Sequence, residues 1–289
     1  MSDQVCLRLL QSPFPGDDLW RQTIAGACKA CGWQYAEHWG GDRPTLDPFR
    51  NAIIVGWTTD ASDLNTTHWA VQTAAPDVVM AAFEQRLKLA SDDARYHASR
   101  HLAEVAALAR LGAPVSYAGD GEIQLPILGS VPTPLEAPLA PPVGIPGSGL
   151  AVYQDADVPI DTEVFWPSDL FNFGDLADKR RGVRVELLGR RRLLFNGPNI
   201  WLPPGVWEAC AELRVLPQEK ADLLIEWGYG TEVAEIAEVL TSAGRYKIRI
   251  TQNWLAPAPA DFRISLMMPA LAGWLEFPGL KVRRIGDAA

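Results

Sequence analysis

Apolar and polar positions alternate strictly along residues 207–215. Trp207, Ala209, Ala211, Leu213 and Val215 fall on one face; Glu208, Cys210, Glu212 and Arg214 fall on the other. Such a period-two pattern, entered through Leu202-Pro203-Pro204-Gly205, predicts a half-buried antiparallel strand. The same alternation recurs over 245–251, where Tyr246, Ile248 and Ile250 oppose Lys247, Arg249 and Thr251. It recurs again over 261–267, where Phe262, Ile264 and Leu266 oppose Arg263 and Ser265. Shorter apolar runs at 193–195, 223–227, 275–277 and 280–282 read as further strands. In 232–240, Val233, Ile236 and Val239 have helical spacing, which leaves helix and strand both open there. Short strands separated by turn signals, without intervening helices, predict an antiparallel β-sandwich, jelly-roll-like, over 150–289.

The first 112 residues carry a different pattern. Residues 5–10 and 69–72 read as strands, 33–37 as a short one, and 52–57 as a continuous, β-branched buried strand. Asp17-Asp18 can open a helix whose apolar positions Leu19, Trp20, Ile24, Ala27, Cys28 and Cys31 share a face, with Gly32 as its stop. Pro76-Asp77 opens a long helical stretch running to Leu111. Strands alternating with helices predict a small Rossmann-like α/β domain over 1–112. The segment after the first strand, Ser12-Pro13-Phe14-Pro15-Gly16, has neither glycine-rich phosphate-loop pattern, so no cofactor is expected. Eight prolines mark 113–149 as a linker, which Ile123, Leu125, Ile127 and Leu128 would hold against a domain surface. The predicted class is therefore α+β with two domains.

Charge and cysteine usage narrow the function. At a net charge of -9 the chain is a poor general ligand for nucleic acid. The basic clusters at 179–181, 190–192 and 281–284 read as solvated strand faces. No apolar run approaches the roughly 20 residues a membrane span needs. The first residues have no basic and apolar leader pattern, so the expected location is cytoplasmic. Four cysteines, three of them within the first 31 residues, do not make a disulfide framework.

Several residues can carry chemistry. Cys28-x-x-Cys31 resembles a redox or half-metal pair, but falls at the end of its helix, away from the N-terminus that lowers a thiol pKa. His97 and His101, four apart, can face one metal or simply line a polar helix face. Asp60, Asp63 and His68 follow the buried strand 52–57, where loops of α/β sheets bind ligands. They can hold a divalent cation and a nucleotide sugar, or cap the next element. Eleven tryptophans stand out, and aromatic faces stack on sugar rings as well as filling cores. Trp207 and Trp227 alternate with apolar neighbours and read as core. Trp201, Tyr229, Asn253, Trp254 and Trp274 lie at turns or beside polar groups and are the candidate carbohydrate contacts.

Phe195-Asn196-Gly197-Pro198 followed by Leu202-Pro203-Pro204-Gly205-Val206-Trp207 resembles a pattern in jelly-roll modules attached to bacterial glycosyltransferases and polysaccharide-biosynthesis proteins. In that pattern a Gly-Pro-aromatic turn precedes Leu-Pro-x-Gly and an aromatic residue entering a strand. Asn199 stands where the aromatic is expected, with Trp201 two places on. The likeness spans about 150–285. It implies a non-catalytic binding or assembly subunit in bacterial surface-polysaccharide biosynthesis, with glycans or biosynthesis proteins as partners. Two alternatives stand beside it: a divergent glycosyltransferase-like enzyme using Asp60 and Asp63, and a purely structural protein that forms homo-oligomers.

Overall fold

A computed structural model of the chain describes residues 5–39, 44–47, 50–57, 68–133, 149–174, 177–178, 184–217 and 220–289. Two compact units divide it: Met1–Pro146 with Tyr153–Asp157, and Gly147–Val152 with Val158–Ala289.

In the first unit, β1 (Cys6–Gln11), β2 (Gln34–His38), β3 (Ala52–Gly56), β4 (His68–Thr73) and β5 (Val115–Tyr117) form one sheet in the order β2-β3-β1-β4-β5. All four pairings are parallel. Every residue of β1 and β3 is buried, as their continuous apolar runs require. Three helices accompany the sheet: α1 (Asp17–Ala30), α2 (Pro76–Leu87) and α3 (Ser91–Arg110). The long helical stretch expected over 77–111 breaks at Lys88, whose φ of 52° is left-handed, and restarts at Ser91-Asp92-Asp93. Val105 and Leu108 of α3 pack on Leu10 and Val71 of the sheet. A hairpin of β6 (Glu122–Leu125) and β7 (Gly129–Pro132) falls inside the proline-rich stretch, and its Ile123, Leu125 and Val131 are buried.

The second unit is an antiparallel sandwich. One sheet contains β8 (Glu163–Pro167), β10 (Ala177–Asp178), β11 (Arg184–Glu186), β14 (Gly205–Pro217), β17 (Gly244–Trp254), β19 (Gly273–Glu276) and β20 (Gly279–Gly286). The other contains β9 (Asn172–Phe173), β12 (Arg192–Asn196), β13 (Pro198–Leu202), β15 (Ala221–Tyr229), β16 (Glu232–Leu240) and β18 (Ala258–Leu266). β14 organises the seven-stranded sheet. β17 lies along one edge of it, while β20 and β19 share the other. Its odd positions 207–215 are all buried, and those of β15 (Leu223, Ile225, Trp227) face them from the opposite sheet. Between the sheets, Phe195, Phe262 and Phe277 stack at 4.4 to 6.3 Å, and Trp227 meets Trp166 at 6.2 Å and Trp254 at 5.1 Å. Each such ring pair adds about 0.5–1.5 kcal/mol beyond its area.

The expected α+β class with a Rossmann-like N-terminal domain does not form. Strand takes 49% of the structure and helix 22%, with three α-helices among the described residues, so the chain is mostly β with several sheets. In the first unit β3 lies between β1 and β2, so β1-α1-β2 does not lay consecutive strands side by side, as the Rossmann order requires. No α-helix joins β2 to β3 among the described residues. Strand–helix alternation along the chain therefore did not specify which strands are neighbours.

Candidate functional site

Two places concentrate chemistry, one in each unit. In the first, the C-terminal ends of β1, β3 and β4 converge on His101 of α3. Ser12 Oγ lies 2.8 Å from His101 Nε2 and 2.9 Å from Thr73 Oγ1, while His101 Nδ1 lies 2.8 Å from the Trp57 carbonyl oxygen. A carbonyl only accepts, so Nδ1 carries the proton, and Nε2 of the neutral ring is its acceptor end, facing Ser12 Oγ, whose hydroxyl donates to Thr73 Oγ1. Complete burial pushes this imidazole down from 6.5 to about 4, which keeps it neutral. A hydroxyl, a base and a group that orients the base are thus aligned. Both side chains are enclosed, however: Ser12 is 0% and His101 3% exposed. The trio fastens α3 to the sheet ends.

His97 does not join His101 around a metal; its ring stacks on Phe83 at 6.1 Å and meets Tyr96 at 5.7 Å. Among the described residues no group of three His, Cys, Asp or Glu side chains is placed to hold a metal. Burial pushes the Cys28 thiol up to about 11, with Cys31 exposed beside it, the reverse of an activated thiolate. His68 opens β4 opposite Leu7. Asp60 and Asp63 lie outside the described residues.

The second place is the outer face of the seven-stranded sheet. Odd positions of β14 point inward, so its even positions point out, and the register carries that parity to its neighbours. One row runs Arg184, Glu276, Arg214, Arg245 across β11, β19, β14 and β17. Arg214 Nη1 lies 3.6 Å from Glu276 Oε2. In the next row Trp274 sits between Glu186 and Leu216. The Arg184 and Arg214 guanidinium carbons lie 4.3 and 5.3 Å from the centre of its ring. Each such contact is worth about 0.5–1 kcal/mol at an exposed site, so the indole helps hold both arginines in place. Beside it opens a cavity of 340 Å³ lined by Glu212, Arg214, Arg245 and Glu276 over Phe277 and Pro278. Guanidinium donors and carboxylate acceptors stand together there. Sugar hydroxyls, which both donate and accept, need such a mixture.

The five tryptophan-, tyrosine- and asparagine-based candidates do not converge. Trp254 is fully buried, because its register partner Gly205 places it on the core face, where it packs on Trp227 and Tyr229 at 5.1 and 5.4 Å. It cannot touch a bound glycan. Tyr229 ends β15 against that ring. Asn253 is on the outer face of β17 opposite Val206. Trp201 lies on β13 opposite Pro259, in the other sheet. Trp274 alone of the five stands beside the charged row. Arg184, Arg214, Arg245 and Glu276 were not singled out from the sequence, which shows each strand's parity but not which strand lies beside it.

No protein-family model matches the chain, and no curated protein matches it in sequence. Among solved structures it is similar to TmCBM61 in complex with beta-1,4-galactotriose: 10% identity, 43% of this chain and 87% of that one, TM-score 0.30. It is similar also to the CBM36-1 domain of a multidomain xylanase from the hindgut metagenome of Trinervitermes trinervoides: 11% identity, 43% and 99%, TM-score 0.31. A third is the CBM22-1 xylan-binding domain from Paenibacillus barcinonensis Xyn10C: 14% identity, 41% and 72%, TM-score 0.25. Strand pairing, rather than these likenesses, defines the second unit as a β-sandwich.

Proposed function

We propose that the chain binds carbohydrate through the outer face of the seven-stranded sheet. The observation that carries this reading is the row Arg184–Glu276–Arg214–Arg245 beside Trp274 and its cavity. Arg214 and Arg245 offer paired donors to vicinal hydroxyls, Glu212 and Glu276 accept from them, and Trp274 fixes the two flanking guanidiniums. The proline–glycine turns that resemble polysaccharide-biosynthesis modules support a setting in bacterial surface-glycan assembly, as a binding rather than a catalytic part.

The test is a glycan-array screen of the full chain, followed by calorimetry on any hit, with Trp274→Ala and Arg214→Ala beside the parent. Saturable binding that each variant weakens by about tenfold or more, at unchanged thermal unfolding, is the expected result. No saturable binding at high micromolar protein, or binding indifferent to both substitutions, removes this site.

A further inference from the structure

The two sheets of the sandwich end on the same side in strands with one neighbour each. β16 pairs with β15, and β17 pairs with β14; no other partner occurs among the described strands. They run in opposite directions across the three-residue turn 241–243. Between them opens a groove of about 600 Å³ whose apolar lining includes Ile236, Val239, Tyr246 and Ile248. Val239 is 56% exposed. Long edge strands with open backbone donors and acceptors are templates for pairing with another strand.

The charges of the two edges are opposite. β16 carries Glu232, Glu235 and Glu238 and no basic residue; β17 carries Arg245, Lys247 and Arg249 and no acidic one. All six are exposed. Of the three cations only Arg249 has a carboxylate partner among the described residues, Glu208 at 3.2 Å, and Arg245 stands opposite Arg214. By parity Glu235 shares the outer face with the three cations, while Glu232 and Glu238 lie on the core side, so along the outer face β17 repels its like and attracts Glu235 of β16.

We propose that two copies of the chain associate edge to edge about a two-fold axis parallel to these strands. That axis sets β16 of each copy against β17 of the other, antiparallel, so that each sheet continues into the partner's opposite sheet and both open edges close. The even positions of β16 and β17 face the core, and of the registers that keep both core faces aligned the proposed one sets Glu235 opposite Lys247 of the partner subunit. The same register sets Ile236 against Tyr246 of the partner subunit and Ala234 against Ile248 of the partner subunit. A two-fold axis perpendicular to the strands would instead set glutamates against glutamates.

Sedimentation velocity of the full chain across the micromolar range reads the outcome. The parent is expected to dimerise, and Glu235→Lys and Lys247→Glu, both at exposed positions, are each expected to weaken the dimer by about tenfold or more. Because the charge pair occurs twice across the axis, mixing the two single variants restores a dimer that neither forms alone. The double variant restores it by itself. A monomeric parent, or single variants that dimerise like the parent while remaining folded by circular dichroism, overturns the proposal.

Discussion

The two units bury different things. Ten of the twelve buried polar or charged side chains among the described residues belong to the first: Arg8, Gln11, Ser12, Asp17, Gln72, Thr73, Ser99, His101, Glu104 and Ser116. The sandwich buries only Asp261 and Arg284 of this kind, and fills its interior with tryptophan and phenylalanine. Both are densely packed, but they resist different insults. Parallel strands converge on a polar end held by side-chain hydrogen bonds such as Ser12–His101 and Gln11–Gln72, and breaking one of these costs about 1–3 kcal/mol. Antiparallel sheets put alternate side chains into one shared layer, where volume is what counts.

Removing volume from the sandwich sharpens the contrast most. Trp227 is fully buried, donates Nε1–H to the Trp207 carbonyl at 3.2 Å, and touches Trp166, Trp254 and Phe262. Trp227→Ala is expected to cost about 3–5 kcal/mol, read as a lower denaturant midpoint for the second unit with the first unchanged. Lowering the pH works the other way. His101 has its folded pKa depressed to about 4 against 6.5 unfolded, so between these values the unfolded chain binds more protons. Stability is complete above about 6.5 and falls as pH drops through that window, by ~2 kcal/mol at pH 5. The first unit is expected to lose its far-ultraviolet helical signal earlier in an acid titration, and His101→Gln to flatten that dependence. The smallest effect belongs to Glu208, bridged on the sandwich surface by Arg249 at 3.2 Å and Arg283 at 3.7 Å. Glu208→Gln is expected to cost no more than ~1 kcal/mol, less at high salt, by thermal denaturation.

Most strands were legible because their side chains alternate. The 207–215 pattern became the buried–exposed alternation of β14, 245–251 lies within β17, and 261–266 lies within β18. The segment 232–240 shows where local pattern fails. Val233, Ile236 and Val239 have helical spacing, yet the segment is the edge strand β16, because pairing with β15 supplies the hydrogen bonds that a helix would have made internally. Gly228 permits that hairpin: a Cβ there would collide with the Glu232 carbonyl oxygen and lie 2.7 Å from Val233 Cα. Trp254 was misplaced for a related reason. It looks like a turn residue beside Asn253, but parity with Ile248 and Ile250 puts it on the core face, opposite Gly205. The parallel order of the first unit was illegible because nothing in β2 or β3 announces that β3 inserts beside β1. The charged row around Trp274 belongs to the same class: it is a property of four strands read crosswise.

One feature bears on how the sandwich comes apart. β14 has three neighbours, with β17 along its length and β20 and β19 dividing its other edge. Residues 206–211 cannot open without releasing bonds to β17 and β20 at once, so fraying that begins at β8 is expected to stop there. Amide protons of 207–211 therefore exchange with solvent only when the whole unit unfolds, and their exchange rate measures its global stability.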